Sequence, residues 1–155
     1  MRKNAWTTIA AVLLILYSLA NFGAGFSQFG KAKAVGQSAS FAASIGEFAG
    51  DSAGARKVRQ QGSDASTMLY LIALFILAVA VLDLVGAVGI LSGQSWAVLL
   101  VTLTAICGFL VEIQDIAEDG FGAGKLIFLA INAIALIAVQ NAKAPAIQSA
   151  LVKNA

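Results

Sequence analysis

One aspartate, Asp83, interrupts AVLDLVGAVG (80–89), a run otherwise made of aliphatic residues and glycine. A carboxylate in such a run has two uses. It can tie helices together through hydrogen bonds, or it can handle a proton or a cation. Four more acids gather in VEIQDIAEDGFGAGK (111–125), where Glu112, Asp115 and Asp119 fall at i, i+3 and i+7 with Glu118 beside them. Clustered carboxylate oxygens can hold a hard cation, but this spacing matches no calcium loop. The expected arrangement is the solvated mouth of a helix pair, with Lys125 returning to pair with Glu112 or Asp115. An exposed pair of that kind is worth about 0–1 kcal/mol. GFGAGK has no preceding strand and no GK[ST] ending, so it is not read as a phosphate loop.

The rest of the inventory is short. The chain has no histidine, which excludes His-ligated metals and His-based triads. Its single cysteine, Cys107, lies in the apolar stretch TAICGFL (104–110) and is read as a packing residue. No intrachain disulfide can form. No cofactor, no metal and no enzymatic activity are expected. A net charge of +2, without a basic stripe interleaved with aromatics, gives no reason to expect nucleic acid.

The elements that must position these residues follow from composition. Hydrophobic residues make up 59% of the 155 and charged ones only 12%. A soluble domain is nearer 45–50% and about 25%, so the expected solvent is a lipid bilayer. Roughly 20 apolar residues cross about 30 Å of hydrocarbon as a helix. The pattern predicts an all-α membrane protein, a bundle of four spans at about 6–26, 68–91, 95–113 and 124–142. Pro145 is expected to stop the last span. MRKN followed by an apolar core and Ser18-Leu19-Ala20 has the outline of a secretory signal, but the segment is read as a retained span. SGQS (92–95) predicts a tight hairpin, making the second and third spans antiparallel neighbours.

Residues 28–67 stand apart, rich in Ala, Gly and Ser. They are read as a long first loop, either partly ordered and polar or holding a short amphipathic helix. Phe41, Ile45 and Phe48, at i, i+4 and i+7, would form its apolar face against membrane or protein. Asp64 or Ser66 would cap the second span. A long first loop and a tight second one are common among four-span proteins, claudin-like and DoxX-like chains included. The Trp and paired cysteines of the claudin loop are missing here, and no other motif is specific enough to transfer residues.

Within the second span Ala73, Ala80 and Ala87 recur every seven residues, and Gly86 and Gly89 extend this small-residue strip. Close packing of small residues drives helix association in lipid. Asp83, three residues after Ala80, therefore lies on the packing seam. Counting equal depths from the hairpin places Thr104, Asn132 and Tyr17 near the same level, as an intramembrane polar cluster with Asp83. No base reaches that level, so the structural reading is a neutral, hydrogen-bonded Asp83 that fixes helix register.

Arg2, Lys3, Lys143 and Lys153 would flank one side of the bilayer with no acid among them. The other side would carry six bases, Lys31, Lys33, Arg56, Lys57, Arg59 and Lys125. Counting bases alone favours that richer side as cytoplasmic, whereas the basic start of the first span favours cytoplasmic termini in a cell (inner) membrane. The second reading is adopted. The function expected is that of a non-catalytic accessory or structural subunit, partnered by lipid and by other membrane subunits or its own copies. The alternative is a small oligomeric transporter or channel using Asp83 or the Glu112/Asp115 group.

Overall fold

A computed structural model describes the backbone of residues 5–153 and the side chains of residues 5–141, apart from 111, 114, 115 and 117–119. Four helices follow one another: α1 (Ala5–Phe48), α2 (Ser52–Leu91), α3 (Ser95–Asp119) and α4 (Ala123–Lys153). Among the described residues there is no strand. Three helical segments are long and apolar enough to cross a membrane: α1, α2 and residues Ala123–Asn141 of α4. The apolar stretch of α3, Ser95–Leu110, is shorter than these.

The expected loop 28–67 is not a loop. α1 has 44 residues and α2 has 40, and only residues 49–51 separate them. Alanine is the best helix former, and the glycines and serines that look like breakers are used for packing. The turn itself is a Schellman closure. Asp51 N–H donates to the Gly46 carbonyl and Gly50 N–H to that of Glu47. Gly50 takes φ +86°, which a side chain would resist. Asp51 then opens α2, its Oδ1 accepting from Gly54 N–H at 2.9 Å. Asp51 is thus the cap that had been expected at Asp64 or Ser66, both of which lie inside α2. The same closure ends α2, where Gln94 N–H reaches the Gly89 carbonyl and Gly93 adopts φ +76°. α4 runs on through Pro145 to Lys153, so that proline does not stop it; proline forfeits its own ladder bond without barring the residues beyond.

The chain forms two compact units. One comprises residues 21–78, a hairpin made from the second part of α1 and the first part of α2. Its seam is built from small residues. Ala32, Ala43, Ala55 and Ala73 are buried. A Cβ on Gly62 would run into the Ala39 methyl, and one on Gly25 would sit 2.8 Å from Leu77. Ser66 Oγ donates across the seam to the Ala32 carbonyl at 2.9 Å. Outside it, Arg59 pairs with Glu47 at 3.1 Å.

The other unit runs up to Ala20 and resumes at Val79. All four helices supply its apolar core: Ala10, Ala11 and Leu14 from α1, Ala87 and Ile90 from α2, Ala97, Val98 and Val101 from α3, and Ala138 and Val139 from α4. Gly86 and Gly89 allow α3 to come close, since Cβ atoms there would lie 2.6 Å from Val101 and from Ala97.

Candidate functional site: a buried polar layer

The same unit holds buried polar residues drawn from all four helices. Tyr17 and Ser18 come from α1, Asp83 from α2, Thr104 from α3 and Asn132 from α4, each at most 5% exposed. The seven-residue recurrence of small residues turns Asp83 inward, because position 83 follows Ala80 on the same buried stripe of α2.

Two polar pairs form. Asn132 Nδ2–H donates to Tyr17 Oη at 3.0 Å, and Phe128 packs edge-on against the Tyr17 ring at 5.7 Å between centroids. Thr104 hydrogen-bonds the Asp83 carboxyl, and its Oγ1 also lies 3.2 Å from the Val101 carbonyl. Asp83 Oδ2 is buried and has no hydrogen-bond partner among the described residues. Gly108 lies one turn beyond Thr104. A Cβ there would sit 2.8 Å from Asn132 Nδ2 and 2.9 Å from Tyr17 Oη, so its absence makes room for that pair.

Counting from sequence named four of these residues and missed Ser18. Its Oγ donates to the Ala80 carbonyl at 2.7 Å, joining α1 to α2. The signal was present in the spacing: Ala11, Ser18 and Gly25 recur every seven residues and all three are buried.

The other candidates are dispersed. Glu112 and Lys125 are half-buried and both engage partners. The side chains of Asp115, Glu118 and Asp119 lie outside the described residues. Among the described residues no group of three acids or thiols could hold a metal ion. Cys107 is exposed on α3 and not a core residue as its apolar context suggested. Phe41, Ile45 and Phe48 share one face of α1 as their spacing requires, and they are exposed by 68%, 54% and 96%. A shallow recess lined by Thr102, Ile106, Leu136, Ile137, Gln140 and Asn141 contains no acid, base or thiol.

What the polar layer can do chemically is limited. It has one carboxyl, two hydroxyls from serine and threonine, one phenol and one amide, and no lysine, arginine or histidine among them. It joins helices by side-chain bonds, and it leaves one carboxylate oxygen free to accept. Compared with known proteins, the chain matches no family model, no curated relative and no solved structure.

Proposed function

We propose that the chain is a small non-catalytic integral membrane protein of four spans that serves as a structural or accessory subunit, packing on a larger membrane complex or on its own copies. One observation carries the reading. Buried polar side chains of the four-helix unit make three helix-to-helix bonds, Ser18 to Ala80, Asn132 to Tyr17 and Thr104 to Asp83. Large apolar side chains such as Leu19, Leu74, Leu99 and Ile137 point outward, as lipid or a partner subunit requires. In this reading α3 is the fourth span, and the termini lie in the cytoplasm of a cell with the membrane as its inner one.

A second reading, a proton- or cation-conducting oligomer, is favoured by the unpartnered Oδ2 of Asp83, because intramembrane carboxylates often mark ion pathways. Purification from native membranes with intact-complex mass spectrometry, followed by flux measurement in liposomes, decides between them. Stoichiometric assembly without flux supports the structural reading. A proton or cation flux that disappears in Asp83→Asn overturns it.

A further inference from the structure

The hairpin of residues 21–78 has two outer sides of opposite character. Directly away from its seam, α1 presents Gly23, Phe26, Gly30, Ala34, Ser38, Phe41, Ile45 and Phe48, all exposed. Successive members recur at three- and four-residue steps, which keeps them on one helical face. No charge occurs between Ala34 and Gly46. The side of α2 directly away from the seam instead carries Lys57, Gln60, Gln61 and Asp64, all exposed, while Arg59 reaches back to pair with Glu47 of α1.

We propose that this uncharged face of α1 is the contact between two copies of the chain, with their hairpins side by side and parallel. The inference rests on the membrane reading above. Two copies inserted in the same sense send their hairpins from the same side of the bilayer, so α1 meets α1 in parallel. In a parallel two-fold contact each residue faces its own counterpart. A charge on such a face would meet itself, and the face of α1 has none, whereas that of α2 would set Lys57 against Lys57.

Two further observations point to a neighbouring helix and not to lipid. Cβ atoms added at Gly23 and Gly30 would meet nothing within 4 Å, unlike those at Gly25 and Gly62 on the seam. Glycine is among the poorest helix formers, so two of them on an open helical face have no use within the chain. They permit the same close approach that the seam already shows. Moreover, Phe48 lies 22 residues beyond Phe26 along α1, about 33 Å at the helical rise. With Lys31 and Lys33 in between, the two cannot share one hydrocarbon layer.

The test is a single-cysteine scan of membrane-embedded protein in a Cys107→Ala background. Under mild oxidant, Ala34→Cys, Phe41→Cys and Ile45→Cys should each give a disulfide-linked dimer, and Lys57→Cys and Gln61→Cys should not. Equal linkage at both sets, or none at any, overturns the proposal. Phe41→Arg provides a second readout, because an exposed position tolerates the change. It should convert the dimer to a monomer by light scattering with helicity unchanged, and a dimer that persists overturns the assignment. Alkaline carbonate extraction keeps the two ideas apart. A protein that stays in the membrane as a monomer defeats the dimer alone, and one that washes off defeats the membrane reading beneath it.

Discussion

Single side chains of the polar layer make the sharpest tests. Tyr17→Phe removes the oxygen that accepts from Asn132 at 3.0 Å. The loss should be about 0.6–2 kcal/mol, the usual worth of such a bond between membrane helices, and unfolding in mixed detergent micelles would measure it. Gly108→Ala should cost more, about 1–3 kcal/mol, because the new methyl displaces both Asn132 and Tyr17. A Gly108→Ala protein as stable as the parent would show that the pair is not held where it is described. Asp83→Asn retains size and hydrogen-bonding capacity and should assemble normally, whereas Asp83→Leu gives up the bond to Thr104. Parent-like stability of the leucine variant would remove the structural role. Thr104 meets Asp83 and Asn132 meets Tyr17, and that such pairs could be sought among these residues has a simple reason. All helices rise by the same amount per residue, so equal counts from a hairpin reach equal depth. Ser18 escaped because its partner is a backbone carbonyl, which no side-chain inventory contains.

At the level of elements, the sequence misled where small residues pack. The seams of the hairpin use Gly25, Ala32, Ala39, Ala43, Gly46, Ala55 and Gly62, a seven-residue rhythm without large apolar side chains. A search for hydrophobic periodicity does not register such a rhythm, and glycine content reads as loop. The turn was legible in principle: Gly50 followed by Asp51 supplies a left-handed closing residue and an N-cap in succession. Asp51→Ala should cost about 0.5–2 kcal/mol and expose the first turn of α2. Hydrogen exchange should then rise at Gly54 and Ala55, and unchanged protection at both would rule out the capping role. Pro145 was overweighted as a stop signal, since α4 continues beyond it.

For the whole molecule, composition alone indicated the membrane, and three helical segments have the length and apolarity to cross one. The proposed fourth crossing would fall to α3, whose apolar stretch is shorter than those three. Cysteine labelling decides it. If α3 spans, Ser92→Cys and Phe121→Cys should react from opposite sides of sealed vesicles, and Lys3→Cys and Lys153→Cys from the same side. Equal labelling of Ser92→Cys and Phe121→Cys would reduce the bundle to three crossings. Residues 28–67 were expected to be a long first loop, partly ordered and polar or holding a short amphipathic helix, yet they belong to α1, α2 and the short turn between them. Charge could not reveal this, since their eight charged residues would decorate a solvated loop or a solvated helix pair equally well.

The three-residue turn at 49–51 also sets an order of events. Partners across the hairpin lie progressively farther apart in the chain, from Gly46 and Ala55 near the turn through Gly62 and Ala39 to Phe29 and Tyr70. Each new contact closes a loop only slightly longer than the last, so the entropic cost of closure grows slowly. The hairpin is therefore expected to assemble as a zipper starting at its tip. Substitutions at Gly50 and Asp51 should slow its formation, while those at Gly25 or Tyr70, which join late, should hasten its opening and leave the forward rate almost unchanged.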